Sequence, residues 1–194
     1  MKKNMIILYA HPNKEGHCGA ILRITEEELR KNNIEYELID LYKLDYNPVL
    51  QQDEHYTSGH KNISEENKKY QSMIKDADCI MFIYPTWWNG FPAILKGFID
   101  RVFVPGYAFY FKGKIPVGLL KGKKAVVITS TGAPRTLSRI VFKDISTKVL
   151  TRHILGFCGI KAKAFYISNA GQYSSKREAE IRFKVEKGFS YLGI

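Results

Sequence analysis

The chain has 194 residues, of which 45% are hydrophobic and 25% charged, and its formal net charge is +11 at pH 7. This length suits one domain with a full core, which we take as residues 1–194. No apolar stretch approaches the roughly 20 residues that span a bilayer, and the first residues do not resemble a signal sequence, so a cytoplasmic protein is expected. The three cysteines are widely spaced and lack metal-ligand spacing, which predicts reduced thiols and no metal site.

The excess of basic residues raises the local concentration of anions such as nucleotides. The lysines are scattered along the chain, and no recognisable nucleic-acid-binding motif accompanies them. Solvated basic faces therefore explain the charge better than a nucleic-acid groove, and we expect no nucleic-acid partner. Loose association with an acidic membrane face stays open on charge alone.

Segments with strand and helix patterns alternate along the chain. In chain order the sequence predicts a strand over 5–10, a helix over 21–31, a strand over 35–41, a polar excursion over 53–61, a helix over 64–75, a strand over 79–84, a helix over 94–102, a strand over 124–130, a helix over 140–155, a strand over 163–167 and a helix over 176–191. This alternation indicates an α/β fold, in which a parallel sheet is covered by helices on both faces. For five strands we expect the doubly wound, flavodoxin-like order 2-1-3-4-5, which makes the loops at His11 and Pro85 neighbours.

Both tryptophans of the chain lie in one loop, which reads Pro85-Thr86-Trp87-Trp88-Asn89-Gly90 and joins a predicted strand to a predicted helix. Open α/β sheets bind ligands at the carboxyl ends of their strands. Two large aromatic side chains there suit a flat heteroaromatic ring. Packing of the tryptophans beneath the loop is the alternative.

The loop after the first strand carries His11 and then Gly16-His17-Cys18-Gly19, and it leads into a helix. A helix N-terminus presents unpaired N–H groups and the positive end of the helix dipole, so this loop suits a phosphate group. The glycines allow close backbone approach, and the imidazoles could add donors. The loop lacks both the P-loop and the Gly-x-Gly-x-x-Gly pattern, which disfavours nucleotide hydrolysis and dinucleotide binding in a Rossmann turn. A simple helix cap is the alternative.

A third loop, Ser130-Thr131-Gly132-Ala133, follows the predicted fourth strand. Its hydroxyl and N–H groups could reach the polar edge of the same ring, although alone it could be an ordinary turn. Three loops that converge on one sheet edge favour a site for a ring with a phosphate tail.

The segment from Tyr107 to Phe111 places four aromatic residues in five positions, where a polar connection is expected. Such a cluster is either a short strand folded onto the body or a patch that a partner covers. We favour the partner.

The segment from Tyr84 to Phe103 resembles the central segment of the NAD(P)H:quinone oxidoreductase family, the flavodoxin-fold flavoproteins related to DT-diaphorase. The similarity continues at His11-Pro12, Thr131-Gly132 and Gly156-Phe157-Cys158-Gly159, and it covers nearly the whole chain. The resemblance implies a tightly bound flavin, FMN or FAD, that is reduced by NAD(P)H and reoxidised by a quinone-like acceptor in ping-pong fashion. It also implies a homodimer with two sites at its interface.

The resemblance assigns a role to each loop: the first holds the phosphate, the second lies along the isoalloxazine and the third meets its polar edge. The implied cofactor-binding residues are His11, Gly16, His17, Cys18, Pro85, Thr86, Trp87, Trp88, Asn89, Ser130, Thr131, Gly132 and Ala133. The acceptor would lie between Trp88 and the partner subunit's Phe109 and Phe111. No catalytic side chain is assigned, because the flavin performs the hydride chemistry.

Two departures from the family pattern concern the first and third loops. The serine that is usual in the phosphate loop is absent from Gly16-His17-Cys18. The tyrosine and histidine that vertebrate members place after the Thr-Gly turn, to support charge on the reduced flavin, are also absent. Arg135 is a candidate substitute for them.

Two other functions stay open. A non-catalytic electron carrier shares this fold, but such carriers have a hydroxyl- and glycine-rich first loop and acidic surfaces, which this chain lacks. An ancillary subunit of a membrane transporter, such as a potassium efflux system, is compatible with the basic surface, and membrane association is expected only in that case. The choice between NADH and NADPH, and between quinone, azo and nitroaromatic acceptors, is also open.

Overall fold

The computed structural model describes residues 3–55 and 62–194. Within these ranges the strands are β1 (Met5–Tyr9), β2 (Tyr36–Asp40), β3 (Cys79–Pro85), β4 (Phe109–Lys112), β5 (Ile115–Gly118), β6 (Lys124–Ser130) and β7 (Lys161–Ile167). The helices are α1 (His17–Lys31), α2 (Glu65–Asp76), α3 (Ala93–Val102), α4 (Arg135–Ile140), α5 (Ile145–Lys148) and α6 (Glu178–Leu192). Short 3-10 turns cover Gln52–Glu54 and Ser175–Arg177, and a π-helical stretch, Val149–Leu155, continues α5.

Five strands form one parallel sheet in the order β2-β1-β3-β6-β7. Because β4 and β5 lie outside this sheet, the order is the predicted 2-1-3-4-5, and the flavodoxin-like fold class is confirmed. In the register, Tyr9 lies beside Ile83 and Ser130 beside Ile167. The carboxyl ends of β1, β3, β6 and β7 therefore reach the same edge of the sheet.

Both faces of the sheet are buried, as expected for parallel strands between helices. In β1, Met5, Ile7 and Tyr9 belong to a core shared with α1 and α6. Ile6 and Leu8 belong to the opposite core, which α2, α3 and the π-helical stretch complete. Ser64 caps α2 as predicted, since its Oγ accepts a hydrogen bond from the backbone N–H of Asn67 (3.2 Å).

The single helix predicted over 140–155 is wrong. Lys143 (φ 50°) and Asp144 (φ 56°) adopt left-handed conformations and separate α4 from α5. The Asp144 carboxylate accepts two hydrogen bonds from the guanidinium of Arg135, at 2.5 and 3.0 Å. Neither residue is glycine or proline, so the periodicity gave no sign of this interruption.

The aromatic segment forms a hairpin, in which β4 pairs antiparallel with β5. Gly113 (φ 63°) provides the positive φ at the tight turn. Phe109 and Phe111 share one face and contact Phe157, and the ring centroids of Phe109 and Phe157 are 4.8 Å apart. The segment is thus a short strand folded onto the body, and it still leaves Phe111 and Tyr110 exposed.

The polar excursion predicted over 53–61 lies partly outside the described residues, which stop at 55 and resume at 62. Its first residues complete the Gln52–Glu54 turn, and Glu54 forms a buried, bidentate ion pair with Arg101 of α3. Across 3–55 and 62–194, no helix is both long and apolar enough to cross a membrane.

Candidate functional site

A cleft of about 310 Å³ lies at the carboxyl edge of the sheet, between the loops that follow β1, β3, β6 and β7. It is lined by His11, Gly16, His17, Cys18, Pro85, Thr86, Trp87, Ser130, Thr131, Gly132, Ala170 and Gly171. The structure therefore brings together all the predicted cofactor-binding residues except Trp88, Asn89 and Ala133. A cleft where the strand order reverses is the usual ligand site of such sheets.

The N-terminus of α1 opens into this cleft. The helix begins at His17, four residues earlier than predicted, and Gly16 is its extended N-cap residue. No side chain among the described residues caps this terminus, and its first turn contains no acidic residue. The N–H groups of the first turn are thus available to an anionic ligand, and the helix dipole favours one.

Two glycines of the first loop have different roles. A Cβ atom on Gly19 would lie 1.7 Å from the carbonyl oxygen of Lys14, so the loop can fold back over the helix only because this position has no side chain. A Cβ atom on Gly16 would meet nothing within 4 Å. The loop is also held by Lys14, whose Nζ lies 2.6 Å from a carboxylate oxygen of Asp40 at the end of β2.

The polar side chains of this first turn are buried and neutral. His17 is 7% exposed, and its ring meets that of Tyr173 edge-on at 5.3 Å. Burial and, second, the positive charge of Arg177 lower the pKa of His17 below its ordinary 6.5. Burial raises the pKa of Cys18 to about 11, and its Sγ lies 3.3 Å from Oγ of Ser130. Both side chains are therefore uncharged at pH 7 in the protein alone.

His11 stands between the first and second loops. Its Nδ1 lies 2.6 Å from the carbonyl oxygen and 3.0 Å from the nitrogen of Asn13, which leaves Nε2 as the ring nitrogen for a ligand. The ring centroid lies 5.9 Å from that of Trp87. In the tautomer in which Nδ1 accepts from the Asn13 N–H, Nε2 carries the proton and can donate to a polar group in the cleft.

The second loop turns sharply at its tryptophans. Trp87 and Gly90 exchange both backbone hydrogen bonds, at 3.1 and 2.9 Å, and close a two-residue turn. Trp88 (φ 51°) and Asn89 (φ 55°) are both left-handed, as a type I′ turn requires. The Trp88 side chain is fully exposed. Trp88 and Asn89 thus form the outer rim of the cleft instead of its wall.

Hydrogen bonds join the loops to one another. The Thr86 N–H donates to the carbonyl of Ser130 (2.7 Å), and the hydroxyls of Thr86 and Thr129 are 2.9 Å apart. The Ala170 N–H donates to the carbonyl of Thr131 (2.9 Å). The part of the loop after β7 that lines the cleft, Ala170 and Gly171, was missed because neither residue carries an aromatic, polar or charged side chain. Its position at the end of a predicted strand was the one available signal.

Three expected residues lie outside the cleft of their own chain. The Ala133 N–H donates to Oγ1 of Thr131 (3.3 Å), and the Ala133 carbonyl accepts from the Asn169 N–H (3.3 Å). Ala133 therefore joins the third loop to the loop after β7. Phe109 and Phe111 lie beside Phe157 on the hairpin.

Arg135, the candidate substitute for the missing tyrosine and histidine, is held elsewhere. Its guanidinium binds Asp144 and stacks over the ring of Tyr166, with the Cζ atom 4.2 Å from the ring centroid. Both contacts fix the side chain on the α4 side of the third loop, and Arg135 does not line the cleft. The support for charge on a reduced ring is therefore not supplied by Arg135 in this conformation.

Comparison with known proteins agrees with this geometry. A family described as having a flavodoxin-like fold matches residues 3–187. An FMN-dependent NADH:quinone oxidoreductase of Clostridium perfringens is 37% identical over 170 residues, which are 84% of this chain and 84% of that protein. A protein of Haemophilus influenzae named as an uncharacterized NAD(P)H oxidoreductase is 34% identical over 84% of this chain and 81% of that protein. A crystal structure from Streptococcus mutans superimposes with a TM-score of 0.83, at 34% identity, over 95% of this chain and 97% of the other.

Proposed function

The chain belongs to the family with the flavodoxin-like fold, and from this premise we propose that it is an FMN-dependent NAD(P)H:quinone oxidoreductase. The observation that carries the proposal is the cleft at the switch point, in which a helix N-terminus faces an aromatic loop. The names of the relatives from Clostridium perfringens and Haemophilus influenzae support it. The name of the Clostridium perfringens relative also favours FMN over FAD. We propose a cytoplasmic location, as the sequence predicts.

The residues present fit a flavin mononucleotide. The uncapped N–H groups of Gly16, His17 and Cys18 suit the phosphate, and the space beside Gly16 admits it. Trp87 offers a flat apolar wall, and the Thr86 and Thr131 hydroxyls offer polar contacts for the ring edge. When bound, the flavin would accept a hydride from NAD(P)H and pass it to a quinone, in two successive half-reactions.

The side chains of the chain position these groups and take no covalent part. The hydrogen bonds between loops fix the walls of the cleft, and the first turn of α1, with His11 Nε2, would hold the phosphate. Trp88, at the rim, is placed to stack against the nicotinamide and then the acceptor. Preorganised contacts of this kind supply most of what the protein adds to cofactor chemistry.

We also propose that the working unit is a homodimer. Phe109 and Phe111 lie on the hairpin and outside the cleft of their own chain, and Phe111 is exposed. An exposed aromatic surface of this kind fits a second copy whose cleft it would close. Each site would then combine Trp88 of one protomer with the partner subunit's Phe109 and Phe111.

The test is a titration of the purified apoprotein with FMN and, in parallel, with FAD, followed by NADH oxidation with a water-soluble quinone. We expect one FMN per chain, weaker FAD binding and sustained turnover of NADH with quinone. Binding without turnover would indicate an electron carrier, and absence of flavin binding would contradict the proposal altogether.

A further inference from the structure

The hairpin of β4 and β5 has a second face that the proposed site does not use. Alternation along the strands places Tyr110 and Lys112 opposite to Phe109 and Phe111. Their cross-strand partners on that face are Val117 and Ile115. Tyr110 is 43% and Ile115 70% exposed. We call the side chains of Tyr110, Lys112, Ile115 and Val117 the outer face of the hairpin.

The outer face lies in a part of the chain with extreme charge asymmetry. Between Arg101 and Arg177 the only acidic residue is Asp144, and that carboxylate is engaged by Arg135. The same stretch contains fifteen basic residues: Arg101, Lys112, Lys114, Lys121, Lys123, Lys124, Arg135, Arg139, Lys143, Lys148, Arg152, Lys161, Lys163, Lys176 and Arg177. The excess positive charge of the protein is thus carried by this stretch of the sequence, and the hairpin itself carries exposed Lys112 and Lys114 at its turn.

The acidic side chains near the hairpin lie on its inner side. Glu54 and Asp100 line a groove together with Phe109, on the face that meets the body. Glu54 is paired with Arg101, and Asp100 with Lys96. The hairpin therefore presents aromatic and aliphatic groups among lysines on one side and the paired acids on the other.

We propose that the outer face docks on an anionic lipid bilayer. Tyr110, Ile115 and Val117 would enter the interfacial region, where an aromatic ring with a polar tip and aliphatic side chains are favoured. Lys112 and Lys114 would meet lipid phosphates, because basic residues near an anionic membrane surface each strengthen binding. No segment needs to cross the membrane.

The choice of a lipid partner rests on the proposed function. A quinone reductase whose acceptor dissolves in lipid must meet that acceptor at the bilayer surface. Docking through the outer face leaves Phe109 and Phe111 free to close the partner subunit's cleft. The two faces of one hairpin would then serve the membrane and the active site.

The test is co-sedimentation of the FMN-loaded protein with vesicles of equal parts phosphatidylglycerol and phosphatidylcholine, and with vesicles of phosphatidylcholine alone. We expect salt-sensitive binding to the anionic vesicles only. The double variant Lys112→Glu/Lys114→Glu should bind the anionic vesicles at least about tenfold more weakly. Lys31→Glu/Lys68→Glu, which has the same net charge but changes exposed residues of α1 and α2, should keep the binding of the unaltered protein.

The apolar contribution is tested in the same way. Tyr110→Ser/Ile115→Ser should weaken vesicle binding several-fold, whereas Leu44→Ser/Phe183→Ser, at exposed positions elsewhere, should not. The proposal would be overturned if a hairpin variant and its control lost vesicle binding equally. It would also be overturned if the unaltered protein bound neutral vesicles equally well, or bound no vesicles. So would conversion of a dimer to monomers by Tyr110→Ser/Ile115→Ser in lipid-free ultracentrifugation, which would make the outer face a subunit interface.

Turnover of NADH with a water-soluble quinone, without vesicles, separates this proposal from the one on which it rests. All four double variants should retain it. Loss of vesicle binding in the hairpin variants together with full soluble turnover supports docking. Absence of turnover in the unaltered protein would refute the proposed function, while the vesicle experiment would still decide whether the hairpin binds lipid.

Discussion

Trp88 occupies a backbone conformation that its residue type disfavours. A non-glycine residue in the left-handed region carries a cost of about 1–2 kcal/mol, and Trp88 regains none of it by burial, because its side chain is fully exposed. We therefore propose that the large ring serves to contact a bound ligand. Strain of this kind is concentrated at functional sites.

Replacement of Trp88 by asparagine should make the protein more stable and the enzyme less effective. Asparagine is favoured in type I′ turns, so Trp88→Asn should raise the free energy of unfolding by about 1 kcal/mol in a urea titration. It should also raise the KM for quinone roughly three- to tenfold, because a stacking ring is lost. Trp88→Phe keeps a ring and the strained backbone, so it should resemble the unaltered protein in both measurements. A Trp88→Asn protein that is less stable would contradict this interpretation.

His17 makes the stability of the fold depend on pH. Its pKa is lowered in the folded protein, mainly by burial. Below pH 6.5 the unfolded chain therefore binds more protons at this residue than the folded chain does, and acid favours unfolding. The contribution of the neutral imidazole is complete above pH 6.5 and is lost as the pH falls below that value.

His17→Gln should reduce this acid sensitivity. We expect the free energy of unfolding of the unaltered protein to fall between pH 7.5 and 5.5, and to fall less in the variant. Urea titrations of both proteins at the two pH values measure the difference. Parallel decreases would mean that other groups carry the pH dependence. FMN affinity at pH 7.5 should weaken only modestly, because the backbone N–H groups remain.

At the scale of elements, the turn into α1 depends on which glycine is replaced. Gly16→Ser places a capping hydroxyl at the N-cap, where a Cβ has room, and should stabilise the protein by about 0.3 kcal/mol. Gly19→Ser forces the Lys14 carbonyl away and should destabilise it by about 1–3 kcal/mol. Both variants should weaken FMN binding, measured by fluorescence, because Gly19→Ser moves the loop and the Gly16→Ser hydroxyl competes with the phosphate for the same N–H groups. Equal effects on stability at the two positions would contradict the assigned loop path.

The strands and their order were predictable from the sequence, whereas several boundaries were not. Runs such as Cys79 to Tyr84 are apolar at every position. An interior parallel strand, which is buried on both faces, has this pattern. The break at Lys143 and Asp144 depends on a carboxylate held by Arg135, nine residues earlier, and no local pattern encodes it. The pairing of β4 with β5 was likewise missed, because only the first of the two strands is aromatic.

The site was predictable to the extent that topology determines it. Three loops were expected to converge because consecutive βα units place them at one edge, and their side chains do line one cleft. The loop with Ala170 and Gly171 was missed because its backbone, and not its side chains, completes the wall. The engagement of Arg135 by Asp144 and Tyr166 is a tertiary contact that sequence spacing does not reveal.

At the scale of the whole molecule, the proposed dimer makes assembly and catalysis share residues. Phe109→Ala should impair quinone reduction and leave FMN bound, since the ring would close the partner subunit's site. Trp87→Arg should instead weaken FMN binding in its own chain. Mixing the two variants should partly restore NADH oxidation, because one of the two heterodimer sites is intact. A fully active monomer, or exchanged subunits that recover no activity, would disprove the shared site.

The hydrogen bonds between Thr86 and Ser130 and between Ala170 and Thr131 join the loops that line the cleft. The proposed cofactor would therefore bind to walls that are already formed. Association then requires little ordering of the chain. A protein that has lost its cofactor should therefore resist proteases almost as well as the loaded one at these loops. We therefore expect the abundance of the protein in the cell to depend little on the supply of FMN.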